Sequence, residues 1–214
     1  MPDPFLAGVA VLLFTLLAVM GPPLGLSAGL VSLLAALALG GLSLDAFRFG
    51  GRGGHLLAEA LPGGRRRLRR IAIHEAGHGL VAEQEGMEVR QVLVGSLACL
   101  RAGLSSAGST EFVPPEHVKL PAEDLRRWSR LLQAGMVAEE LLCGDSIGGA
   151  DDRALLGRLW GLSGFDVDTA QREMRRARRE VLQLLRGRRG ALEAEAERLL
   201  ELAPRLGWPP RTTA

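Results

Sequence analysis

The sequence predicts a mainly α-helical fold with a small β element, set behind an N-terminal transmembrane helical hairpin. Two observations point there. From Met1 to Ser43 the only charged side chain is Asp3, and the rest of the chain carries its charge on amphipathic helical segments around one short β-branched run. Of the 214 residues 47% are hydrophobic and 23% charged, which supports a packed core and excludes a disordered tail. The formal net charge of +2 is too small to argue for nucleic acid, and no such partner is expected.

Phe5–Met20 and Leu24–Leu42 are uncharged apolar runs separated by Gly21-Pro22-Pro23. At about 1.5 Å per residue the second nearly spans a bilayer core of about 30 Å, and the first falls slightly short. The Gly-Pro-Pro break cannot continue a helix, because proline lacks the amide donor and clashes with the preceding turn. Residues 1–43 therefore read as a hairpin. A secretory signal would need a positive n-region, whereas this chain starts Met-Pro-Asp-Pro, and it would leave one apolar run over. A basic juxtamembrane linker follows over residues 44–64. Up to Arg70, the residues Arg48, Arg52, Arg65, Arg66, Arg67, Arg69 and Arg70 outnumber Asp45 and Glu59. Positive flanks stay cytoplasmic, so the domain at 65–214 is expected on the cytoplasmic side of a bacterial-type inner membrane crossed by two spans. Membrane lipid is the expected partner of the Arg65–Arg70 cluster.

Within the domain, Arg65 to about Glu85 reads as a helix ending at Gly86, and Val89–Val94 as a strand. Gly103–Thr110 reads as a turn, with a return strand near Glu111-Phe112-Val113 that Pro114-Pro115 ends. A helix can begin near Pro121, a favoured first-turn residue, and run to Cys143 with Gly144 as its stop. The loop Asp145–Ala150 leads through short helical stretches to Gly164. Asp168–Leu185 and Ala191–Leu206 close the chain as amphipathic helices. Cys99 and Cys143 are far apart in sequence, and in a reducing cytoplasm both are expected as free thiols packed as small apolar groups.

His74-Glu75-Ala76-Gly77-His78 falls inside the first of these helices. Histidines at i and i+4 share a face, so both imidazoles can hold one cation. The glutamate between them projects alongside, where it can take a proton from a water that the cation acidifies. Zinc suits such a set, because two neutral nitrogens and an oxygen leave a fourth position open. The competing reading is a chance pair of histidines on a solvated face. His55 and His117 stand alone and read as surface or structural residues. The third ligand discriminates among zinc hydrolases. A metzincin would place Gly at 81 and His at 84, where Val81 and Gln84 stand. An intramembrane protease would hold the motif in an apolar span, but Arg65–Arg70 and Glu83–Glu85 flank it. A carboxylate further along the chain remains.

On the helix from Pro121 to Cys143, Leu125, Trp128, Leu132, Met136 and Cys143 form an apolar stripe, and Glu139 falls in its middle. A carboxylate buried there needs a strong partner. That partner is either the free ring N–H of a zinc-bound histidine, which would put Glu139 behind the metal site, or one of the many arginines. Glu140 sits at the edge of the stripe, where water can reach it.

HEAGHGLVA (74–82), AGMVAEELLCG (134–144) and SIGGADDRA (146–154) resemble, in this order, the protease domain of the FtsH-type membrane-bound ATP-dependent zinc metalloproteases. That family carries HEAGH, a helix reading GGRxAEExxxG and a loop of the TGASNDxxxAT type. The resemblance implies an FtsH-like zinc metallopeptidase domain in which His74, His78 and Asp152 hold Zn2+ and Glu75 activates water. The sequence also departs from the family. Its last motif reads GGADD, so Asp151 stands in place of the asparagine and rivals Asp152 as the ligand. The following LLGRLWGLSGFD is short. No GxxxxGK[ST] loop occurs, the only lysine being Lys119, so no nucleotide-binding residues are expected and the ATPase module is missing. The domain usually found between the family's two spans has shrunk to Gly-Pro-Pro.

The expected activity is that of a membrane-anchored zinc metalloendopeptidase acting on peptides or unfolded, membrane-proximal proteins. Two alternatives differ in class. One is a non-catalytic anchored binding module of the same fold, which the presence of Glu75 argues against. The other is a proteolytic subunit working with a separate ATPase. A homo-oligomer, a hexamer by resemblance, is the implied assembly.

Overall fold

A computed structural model describes residues 4–49, 52–115, 117 and 119–204 of the chain. The apolar N-terminus forms α1 (Pro4–Met20) and α2 (Ala28–Phe49), joined through a 3-10 turn at Pro22–Leu24. Among the described residues, one segment is long and apolar enough to cross a membrane, Ala28–Asp45 in α2. The second helix starts later than the apolar run because the proline turn consumes the residues around Leu24, and it continues past Ser43 to Phe49. The linker after it contains a helix that its composition does not announce. Asp45 accepts from the amides of Gly53 and Gly54, both at 2.9 Å, and so satisfies the first turn of α3 (Arg52–Ala60). Leu206 and the side chains of Arg48 and Arg52 lie outside the described part.

Two long helices, α4 (Gly64–Glu85) and α6 (Ala122–Cys143), meet at the centre of the domain. Both end on a left-handed glycine, Gly86 with φ 62° and Gly144 with φ 89°. Small residues let them approach: a Cβ on Gly77 would stand 2.7 Å from the Ala134 carbonyl oxygen and from Ala138 Cβ. A side chain on Gly135 would occupy the space taken by the His74 imidazole. Around these points Ala72, Ile73, Ala76 and Val81 of α4, and Leu125, Leu131, Leu132 and Val137 of α6, are buried. α8 (Val167–Gly187) packs on α6, and α9 (Arg189–Leu202) on α4. α7 (Ala150–Leu162) is one continuous helix, where the sequence suggests short stretches, and its Trp160 donates to Ser129 Oγ at 2.9 Å. The apolar stripe of α6 leaves the core after Glu139, so Cys143 is exposed, whereas Cys99 is buried.

The small sheet has two antiparallel strands, β1 (Val89–Val94) and β2 (Gly108–Phe112), with Val92 opposite Thr110. The return strand thus begins at Gly108, inside the stretch that reads as a turn. Glycine and serine have low strand propensity there, and pairing with β1 overrides it. A short helix, α5 (Ser96–Arg101), occupies the connection. Glu59 of α3 accepts from Ser96 N at 2.9 Å and from Ser96 Oγ at 2.6 Å, which ties the linker to this end of the sheet.

Candidate metal centre

His74 and His78 lie one turn apart on α4, with ring centroids 4.9 Å from each other. Their outer nitrogens are already committed. His78 Nδ1 is 2.9 Å from the Leu131 carbonyl oxygen, which can only accept, so this nitrogen carries the hydrogen. His74 Nδ1 donates to Glu139 Oε1 at 2.7 Å. Both Nε2 atoms are thereby left to face Asp152, whose Oδ2 is 3.1 Å from that of His74 and 3.5 Å from that of His78. Among the described residues these three form the one group of donors, all within 4.8 Å of one another, that can hold a metal ion.

Asp152 reaches this point because α7 begins at Ala150 and places both aspartates in its first turn. Successive helical side chains point about 100° apart, so only one of them can turn inward. Asp152 does, and Asp151 is exposed.

Glu139, 2% exposed, stands behind His74. It accepts from Ile147 N at 3.0 Å and Gly148 N at 3.3 Å, and Arg70 Nε lies 3.3 Å from its Oε2. Both partners left open by the sequence, a histidine N–H and an arginine, are therefore present. Arg70 also donates to the Asp145 carbonyl at 2.9 Å and pairs with the Asp145 carboxylate. The loop that leads to Asp152 is held twice, at Asp145 by Arg70 and at Ile147–Gly148 by Glu139. Sequence reasoning does not single out Arg70 here; its position one turn before His74 on the same helix is the signal that could have done so.

The electrostatics follow from this crowding. Burial opposes protonation of His74, but the Asp152 and Glu139 carboxylates outweigh it and raise its pKa to about 10. Burial would also raise the Asp152 carboxyl, yet its hydrogen bonds to His74 and His78 hold it well below the ordinary range. Glu139 is lowered for the same reason, its burial being outweighed by the His74 N–H and the Ile147 and Gly148 amides. A positive charge, proton or metal, is thus favoured between His74 Nε2 and Asp152. Glu75 differs: burial, only partly offset by the histidines and Thr110, raises its pKa. It is 5% exposed, and its Oε2 accepts from Thr110 Oγ1 of β2 at 2.6 Å. Thr110 escapes the sequence reading because it falls in the stretch that reads as a turn, just before the expected return strand.

The remaining candidates lie elsewhere. His117 is exposed, and His55 lies beside Arg67. Glu140, instead of being simply solvated, pairs with Arg178. No protein-family model matches the chain, and no curated protein does.

Proposed function

We propose that this chain is a membrane-anchored zinc metalloendopeptidase whose domain is of the FtsH type. The observation that supports this most is the commitment of both Nδ1 atoms, which leaves two Nε2 atoms and one carboxylate grouped together, with Glu75 close enough to feel the charge of all three. Two imidazole nitrogens and a carboxylate oxygen are a donor set that suits zinc and leaves a further position free. When bound, zinc supplies a Lewis acid that polarises the peptide carbonyl and acidifies water. His74, His78 and Asp152 are the proposed ligands. Glu75, whose proton affinity is raised by burial, accepts the proton given up by the attacking water. It returns that proton to the leaving amine nitrogen as the C–N bond breaks. Glu139 keeps the His74 ring oriented with Nε2 inward.

In this reading α1 and α2 cross the membrane as a hairpin, and the arginines near the exit keep the domain cytoplasmic. Substrates are peptides or unfolded, membrane-proximal segments. A separate ATPase is the partner that folded substrates would require. The test is cleavage of an unstructured fluorogenic peptide by the full chain in detergent. Wild type should cleave, lose activity to a chelator and regain it with zinc. Glu75→Gln should lose about 10²–10⁴-fold in rate while retaining zinc. Equal rates in the two proteins would contradict the proposal.

A further inference from the structure

We infer that Thr110 is a positioning residue that aims the carboxylate of Glu75, an inference that rests on the proposed role of Glu75 as the base. Side chains alternate across a strand, so Gly108, Thr110 and Phe112 belong to one face of β2. That face lies along the HEAGH helix. A Cβ at Gly108 would stand 2.5 Å from Glu75 Oε1 and 2.5 Å from Ile71 Cγ2, so only a glycine lets the strand approach this closely. Two residues on, Thr110 Oγ1 is 2.6 Å from Glu75 Oε2. Another two residues on, the Phe112 ring meets His78 edge-on at 5.8 Å between centroids. One strand face therefore touches both the base and a metal-binding histidine.

A hydroxyl has a single hydrogen, and a carboxylate can only accept, so Thr110 donates to Oε2. Glu75 has three rotatable side-chain bonds, and this is the one side-chain hydrogen bond the described residues give its carboxylate. Holding Oε2 on the Thr110 hydroxyl, with Oε1 closed in by Gly108, sets the plane of the carboxylate and so the direction from which it meets the water. The register of β2 against β1, with Thr110 opposite Val92, fixes where that hydroxyl stands. The sheet thus acts on the reaction through one donor, in addition to packing on the helix.

Two substitutions separate this role from a packing role. Thr110→Val keeps the shape and removes the donor, and Thr110→Ser keeps the donor and removes a methyl. In the full chain in detergent, Thr110→Val should lower kcat about 10–100-fold with KM and zinc content unchanged, because misaiming the base leaves the metal ligands and the substrate site as they were. Thr110→Ser should restore kcat to within about threefold of wild type, as the hydroxyl is the part that matters. A readout independent of turnover is the 13C resonance of the Glu75 carboxylate in glutamate-labelled, metal-free protein, assigned by its disappearance in Glu75→Gln. It should move in Thr110→Val and stay in place in Thr110→Ser. An unmoved resonance in Thr110→Val, or equal losses of kcat in both variants, would overturn the inference and leave the peptidase reading intact. A wild type that cleaves nothing while the resonance responds to the hydroxyl would overturn the peptidase reading and leave the hydrogen bond standing.

Discussion

Asp152, Asp151 and Glu139 stand in three different relations to His74, and each relation carries its own cost of truncation. Asp152 faces both Nε2 atoms, Glu139 holds the opposite ring nitrogen, and Asp151 points to solvent. Loss of an outer partner of a ligating histidine typically costs about 10–100-fold in metal affinity. Competition against a chromophoric chelator should therefore rank zinc affinity as Asp151→Ala near wild type, Glu139→Ala lower and Asp152→Ala lowest. A larger loss in Asp151→Ala than in Asp152→Ala would reverse the ligand assignment. His74 adds a pH dependence. Its pKa is raised from 6.5 to about 10 in the folded, metal-free chain, so its contribution to stability is complete below about pH 6.5 and is lost as pH rises through about 10. Zinc must displace the same proton, so apparent affinity should rise with pH across that window. Calorimetric titration at pH 8 in buffers of different ionisation enthalpy should detect the released proton; a buffer-independent heat would contradict it. At this scale the HEAGH histidines and glutamate are legible in sequence because i and i+4 are local. The choice between adjacent aspartates is not, since it depends on where α7 begins. Arg70 is hinted at by its place one turn before His74, but its contact with Glu139 of α6, like that of Thr110 with Glu75, joins elements distant in sequence.

The helices carry the centre only because α4 and α6 come close. Glycine in a helix interior is ordinarily replaced by alanine with a gain of up to about 1 kcal/mol. At Gly77 the new methyl would meet the Ala134 carbonyl and Ala138 Cβ, atoms that cannot swing aside. Overpacking of that kind costs about 1–3 kcal/mol. Gly77→Ala should therefore lower the thermal midpoint. Gly79→Ala, on the same helix with nothing within 4 Å of its added Cβ, should leave it unchanged or raise it. A gain in both would mean the helices are not in contact at Gly77. The long helices are visible in the sequence through their apolar spacing and their terminal glycines, Gly86 and Gly144. β2 and α3 are less so. β2 needs β1 to override its glycine and serine content, and α3 begins at Arg52-Gly-Gly, a poor helix former until Asp45 supplies acceptors for its first amides.

For the molecule as a whole, the domain and its apolar N-terminus make separate predictions. In the domain, Arg69 pairs with Glu197, and Arg70 with Glu139 and Asp145, while Arg65 and Arg66 are exposed. The part of the basic cluster open to lipid headgroups is therefore narrower than the sequence implies. If the hairpin crosses the membrane with its arginine-rich end inside, protease added outside spheroplasts should leave the segment beyond Arg70 intact, and membrane disruption should expose it. Digestion from outside would reverse the orientation. Beneath either outcome lies the claim that His74, His78 and Asp152 hold zinc, and zinc-edge X-ray absorption of the intact chain in detergent tests it most directly. One zinc per chain is expected, with nitrogen and oxygen ligands at about 2.0–2.2 Å and the scattering signature of two imidazoles, lost in His74→Ala. Zinc that fails to bind stoichiometrically, or that shows a sulfur shell near about 2.3 Å, would contradict it.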